Sequence, residues 1–167
     1  LDVVRQIGGA DGEQVLAETL TSTKRGVEMA YLTQLLEEMA PGKYREAALS
    51  AARTLLAGGK VADSSDRYQL YALLRQFNDT SYVGTAQAQL VQADGKVDRS
   101  ALRYLQQSLG EQSLALAAQL YQDGRVVDPA SKEALGRVAL HYVGANDQAL
   151  QLFHQVALDP QLTPGRR

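Results

Sequence analysis

Three times along its length the chain carries the same punctuation between apolar-periodic segments. The clearest instance is Ala93-Asp94-Gly95-Lys96-Val97-Asp98-Arg99-Ser100. Weaker copies are Gly58-Gly59-Lys60-Val61-Ala62-Asp63-Ser64 and Asp123-Gly124-Arg125-Val126-Val127-Asp128. Glycine ends a helix by taking positive φ at the position just past it, and aspartate opens the next by accepting from free backbone N–H groups. Gly59, Gly95 and Gly124 stand 36 and 29 residues apart, near the period of about 30–45 residues found in helical-hairpin repeats. Such a chain folds as many short helices with short links, and sequential helices then pack antiparallel.

Between these seams the periodicity is helical. Asp11 is placed to cap a segment bearing Val15, Leu16 and Leu20, after a helix tail over Leu1–Ile7 that Gly8-Gly9 stops. Met29, Leu32, Leu35, Leu36 and Met39 form the next stripe, which Pro41-Gly42 ends. Tyr44, Ala47, Ala48, Ala51, Ala52, Leu55 and Leu56 follow at i, i+3, i+4, i+7, i+8 spacing. Ser64 or Ser65 then opens a helix with Leu70, Leu73, Leu74 and Phe77 on one face. Val83, Ala86 and Leu90 mark a weaker one. Asp98 caps Leu102, Leu105 and Leu109, and Gly110 separates these from Leu114, Ala117, Ala118 and Tyr121. Asp128-Pro129 starts a helix with Leu135, Val138, Ala139 and Tyr142, and Leu152, Phe153, Val156 and Ala157 make the last stripe. Ala, Leu, Gln, Glu and Arg dominate while β-branched clusters are scarce, so the expected class is all-α. Eight or nine helices make about four antiparallel pairs, and the economical architecture is an α-solenoid, with a closed bundle as the alternative.

Two regions carry resemblances. Tyr44-Arg45-Glu46-Ala47-Ala48-Leu49-Ser50-Ala51-Ala52-Arg53-Thr54-Leu55-Leu56 resembles the second helix of a HEAT repeat, and Ile7-Gly8-Gly9 followed by Asp11 to Leu20 is similar to the junction between HEAT repeats. Leu135-Gly136, Gly144, Ala149-Leu150, Phe153, Ala157-Leu158 and Asp159-Pro160 resemble a tetratricopeptide repeat, without its usual Trp and Tyr. Both resemblances imply a superhelix of hairpins of the HEAT or armadillo kind that presents a surface to partners, normally without catalysis. They lead us to expect a single helical-repeat domain over residues 1–167. The apolar start at Leu1 and the helix-start signal Thr163-Pro164 further suggest a fragment of a longer protein.

Motifs for chemistry are missing. With no Cys and only His141 and His154, 13 residues apart, zinc-ligand spacing is absent. Aligning Gly95 with position 6 of a calcium loop puts Leu90 and Ala101 where carboxylates must bind, which excludes that reading of Asp94-Gly95-Lys96-Val97-Asp98. The Gly-Lys pairs lack the preceding Gly and following Ser or Thr of a phosphate loop. No cofactor or small-molecule substrate is indicated. His154, between Leu150 and Leu158, is expected in the core or a groove. A net charge of −2 argues against a nucleic-acid partner, and no apolar run is long enough to span a bilayer.

What remains is a skewed set of aromatics, eight Tyr against two Phe. Tyr44, Tyr121 and Tyr142 fall on expected core stripes, whereas Tyr31, Tyr68 and Tyr104 fall beside them. Tyr and Arg are favoured where interfaces are tight, so Tyr68, Arg75, Arg99, Arg103 and Tyr104 are the expected interaction surface. The expected function is a non-enzymatic protein-interaction or scaffolding module. A nucleic-acid-binding HEAT-like repeat using Arg67, Arg75, Arg99, Arg103, Arg125 and Arg137, or an accessory domain of a larger enzyme, are the alternatives.

Overall fold

The computed structural model describes residues 9–59, 61 and 63–162. The expected helix tail at Leu1–Ile7 with its Gly8 stop, Lys60 and Ala62 of the first seam, and the Thr163–Arg167 helix start lie outside them. The described residues form an all-α chain: α1 (Ala10–Ser22), α2 (Gly26–Met39), α3 (Arg45–Ala57), α4 (Ser64–Gln76), α5 (Val83–Ala88), α6 (Arg99–Leu109), α7 (Gln112–Gln122), α8 (Pro129–Leu140) and α9 (Asp147–Leu158). Among them no helix is long and apolar enough to cross a membrane. Two compact units divide the chain, Leu1–Tyr82 and Val83–Arg167.

In the first unit each helix packs on its sequential neighbour, and α1 also meets α3 while α2 meets α4. Leu16, Leu20, Met29, Leu32, Leu36, Leu70 and Leu74 fill the centre. The start of α1 differs from expectation. Gly9 stands at the N-cap and Asp11 lies inside the first turn, where its charge faces the positive end of the helix. α4, by contrast, opens at Ser64 as expected, and the Asp63 carboxylate of the first seam caps it, accepting from the Ser65 and Asp66 N–H groups. On α3 the buried side chains are Ala48, Leu49, Ala52 and Leu56, so the stripe is rotated and Leu55 is only half-buried. That follows from packing, because α1, α2 and α4 all touch α3. Met39, expected inside, is exposed at the end of α2.

The second unit is built around the two later seams. Asp98 caps α6 through the Ser100 and Ala101 N–H groups, and Asp128 caps α8 with Pro129 in its first turn, both as expected. Gly95 does take φ +78, but it does not end a helix. α5 stops at Ala88, and Val91 and Val97 then form an antiparallel bridge around the turn. The Gln92 N–H donates to the Lys96 carbonyl at 2.8 Å, and the Asp98 N–H to the Leu90 carbonyl at 2.9 Å. This hairpin nests on the following seam: a Cβ at Gly95 would stand 2.7 Å from the Arg125 carbonyl oxygen. Gly124, in contrast, is not at positive φ. The last stripe also departs from expectation. Ala149 and Leu152 are buried, whereas Phe153, His154 and Ala157 are exposed, because α7 and α8 cover α9 only on the side away from them.

Polar links within each unit join helices two apart, and they join like ends. The Tyr44 hydroxyl at the start of α3 donates to Glu13 in the first turns of α1, at 2.7 Å. The Val27 N–H in the first turn of α2 donates to the Asp66 carboxylate in the first turn of α4, at 2.9 Å, with the Arg25 guanidinium 3.6 Å from the same carboxylate. Gly26 makes this approach feasible, since a Cβ there would collide with the Asp66 main chain. In the second unit the buried Val97 N–H ahead of α6 donates to Ser131 Oγ of α8 at 2.9 Å. Asn146 and Glu111, the N-cap residues of α9 and α7, pair at 2.6 Å. Like ends in contact mean that alternate helices run parallel and sequential ones antiparallel.

The far end of α9 is fastened by Asp159. Its carboxylate accepts from the Tyr121 hydroxyl at 2.6 Å and the Gln161 N–H at 2.8 Å, with Lys132 Nζ 3.6 Å away. These donors and the Lys132 charge hold the Asp159 carboxyl below its ordinary range. Burial, and then the bond to Asp159, push the Tyr121 hydroxyl upward.

Four stability outcomes follow. Gly26→Ala should lower unfolding free energy by about 1–3 kcal/mol through overpacking. Gly84→Ala, on a helix with open space around it, should raise it by about 0.5–1 kcal/mol; urea titration reads both. Ser131→Ala leaves the buried Val97 N–H unsatisfied and should cost about 1–3 kcal/mol. Asp159→Asn should lower stability at pH 7. Because the folded carboxyl lies below its unfolded value of about 3.9, the wild-type advantage is full above that value. It disappears as pH falls through the folded pKa, so thermal melts of the two proteins should converge in acid.

Candidate functional site

The residues singled out by sequence are divided between the two units. Tyr68 and Arg75 lie in the first, two turns apart on α4, and the Arg75 guanidinium carbon sits 5.8 Å from the Tyr68 ring centroid, within cation–π range. Tyr68 remains 42% exposed. Arg99 and Arg103 lie on α6 in the second unit, both exposed, and the Arg99 charge helps keep the Asp128 carboxyl low after the dominant bonds from the Ser131 hydroxyl and N–H. Tyr104 is fully buried and therefore offers no surface. Its ring falls on the same face of α6 as Ala101 and Leu105, which are also buried.

The first unit also has a groove that does not include the residues singled out by sequence. It encloses about 340 Å³ between α2 and α4, lined by Val27, Ala30, Tyr31 and Gln34 on one helix and Gln69, Ala72, Leu73 and Gln76 on the other. Each set follows i, i+3, i+4, i+7, the repeat of one helix face, and the Gly26–Asp66 approach sets the two parallel helices side by side. No lining side chain is charged. Tyr31 is 44% exposed. Gln34 donates to Glu38 at 3.3 Å, whereas Gln69 and Gln76 make no side-chain hydrogen bond among the described residues. A recurring pattern could have revealed the pair: Ala30-Tyr31-Leu32-Thr33-Gln34 and Ala72-Leu73-Leu74-Arg75-Gln76 share Ala, Leu and Gln at matching places.

A larger groove, about 540 Å³, lies between α1 and α3 and includes Glu13, Glu18, Lys43 and Tyr44. Its central polar groups are already engaged. The Lys43 ammonium and then the Tyr44 hydroxyl hold the Glu13 carboxyl below its ordinary range, and Glu13 raises Lys43 in turn. A ligand there would have to break that set before gaining anything, which favours the α2–α4 groove despite its smaller volume.

Among the described residues no group of three or more His, Asp or Glu side chains is placed to hold a metal ion. His141 and His154 are both exposed, so the core or groove position expected for His154 is not where it lies. Of the arginines weighed for nucleic acid, Arg125 is paired with Asp123 and Arg137 with Glu133, each at 2.6 Å. Comparison of the chain with protein-family models, curated proteins and solved structures finds no match in any of the three.

Proposed function

We propose that this protein is a non-enzymatic helical-repeat module for protein–protein interaction, with its helix pairs stacked as in a HEAT-like α-solenoid. The stacking is supported by the like-end links between alternate helices, which recur within each unit. The interaction role rests chiefly on one observation: the uncharged α2–α4 groove, with a half-exposed tyrosine and two unspent amides on a scaffold of packed helices. Rigid aromatic side chains give large contact area at low entropic cost, and amides supply adaptable hydrogen bonds. Rigid helices fix both sets of groups in space, so a partner pays the ordering cost only on its own side.

The reading is tested by selecting random peptide libraries against the immobilised full chain and re-measuring the selected peptides on a Tyr31→Ala/Gln76→Ala variant. Both positions are on the surface, so circular dichroism should be unchanged. Enriched peptides should bind the variant at least about tenfold more weakly, the equivalent of one good interface contact. Failure to enrich any peptide, or equal binding to the variant, would overturn it.

A further inference from the structure

We infer that the exposed face of α6 binds a carboxylate-rich segment of a partner protein through Arg99 and Arg103. This face belongs to the second unit and the α2–α4 groove to the first, so the inference goes beyond the groove reading and does not depend on it. The two arginines stand four residues apart, which puts them on the same face of the helix. Both are exposed, whereas Ala101, Leu102, Tyr104 and Leu105 of the same helix are buried. Neither guanidinium makes a hydrogen bond, ion pair or ring contact among the described residues. Arginines elsewhere are spent within the chain: Arg45 on Glu37, Arg125 on Asp123 and Arg137 on Glu133. Two carboxylates lie near Arg99, and both are engaged at helix starts. Asp98 accepts from the Ser100 and Ala101 N–H groups, and Asp128 from the Ser131 N–H and hydroxyl. Arg99 acts on Asp128 through its charge alone.

The placement of these charges opposes the helix that carries them. Arg99 is the first residue of α6, whose opening turn has no acidic side chain, and a cation there faces the positive end of the helix. Like charges four residues apart also repel, and α6 has no carboxylate of its own to relieve them. An incoming carboxylate relieves both. Each guanidinium is a planar fork of N–H donors that fits a carboxylate in bidentate form. The chain as a whole is net negative, at −2, so an acidic segment is repelled by the surface at large and drawn to this face. Nucleic acid fits the pair poorly. Its affinity is built from many phosphate contacts, typically about 6–10, and Arg125 and Arg137 of the same unit are already paired. A short acidic segment needs only the two.

The test is fluorescence anisotropy on the full chain at about 50 mM salt, where exposed charges are less screened than at physiological ionic strength. Three labelled probes are compared: an end-blocked glutamate–alanine decapeptide, its glutamine–alanine counterpart, and an oligothymidylate of equal charge. The glutamate peptide should bind at least about threefold tighter than the glutamine peptide, and about 0.5 M salt should remove the difference. Arg99→Gln/Arg103→Gln should weaken the glutamate peptide about threefold to tenfold, the equivalent of two exposed ion pairs. Circular dichroism should be unchanged, because both side chains are exposed. Arg125→Gln/Arg137→Gln removes the same net charge from paired arginines and should leave binding within about twofold. Equal loss in the two double variants overturns the inference, since the effect is then net charge alone. Equal binding of the two peptides, or tighter binding of the oligothymidylate, overturns it as well. The groove reading stands or falls separately, on Tyr31 and Gln76.

Discussion

The first N–H groups of a helix have no partner within it, and at the start of α2 one of them is satisfied by the helix two further along rather than by a local cap. Arg25, at the N-cap of α2, provides no side-chain bond to that helix; the Val27 N–H is instead met by Asp66, 39 residues later. Ser131 likewise accepts from the Val97 N–H, in the hairpin just ahead of α6, across 34 residues. Its hydroxyl proton goes to Asp128 at 2.7 Å, which turns a lone pair toward the incoming N–H. The Asp128 carboxylate thus caps its own helix and sets the orientation of the group that holds the preceding hairpin. Links of this kind act only between parallel neighbours in close contact, so they specify the register of alternate helices more sharply than apolar packing can.

Close contact in turn requires missing side chains at the crossing points. Gly26 lets the start of α2 approach the Asp66 main chain, Gly95 lets one seam nest on the Arg125 carbonyl, and at Gly136 a Cβ would meet both methyl groups of Val156 at 2.6 and 2.7 Å. Each lies on a different pair of elements within a unit, and each removes the one atom that would hold the pair apart. Glycine is a poor helix former, at a cost near 1 kcal/mol relative to alanine, so its place inside α8 is explained by this packing alone.

Local signals were legible in the sequence and distant ones were not. The Asp98 and Asp128 caps and the positive φ of Gly95 rest on neighbouring residues, and the structure has all three. Nothing in the sequence around Asp66 or Ser131 signals their links to Val27 and Val97, because a bond made from tens of residues away leaves no trace near the segment it serves. The interaction surface divides similarly. Tyr68 and Arg75 share a helix face and meet. Tyr104 sits on the boundary of a periodic stripe, where packing rather than spacing decides exposure, and it went inside. The exposure of Phe153 and His154 has the same origin: period identifies a face, but only the neighbouring helices decide how much of it is covered.

The α2–α4 groove is a by-product of the constraint that holds the unit together. Parallel helices present matching faces, so residues at i, i+3, i+4 and i+7 on one run alongside the same spacing on the other. Gly26 lets the starts of the two helices approach closely, and beyond it Ala30 and Ala72 are the small side chains of the lining. A trough with a flat floor and groups at helical intervals follows from parallel pairing, whatever it is used for. Its neutral lining does not follow from pairing, because Val27, Tyr31 and Gln76 are exposed and any polar residue would serve the fold there. Contrast with the α1–α3 groove makes the point: that surface spends its charges on itself, joining Lys43 and Tyr44 to Glu13. On the α2–α4 surface the Gln69 and Gln76 amides make no side-chain hydrogen bond among the described residues, and the fold alone does not account for that.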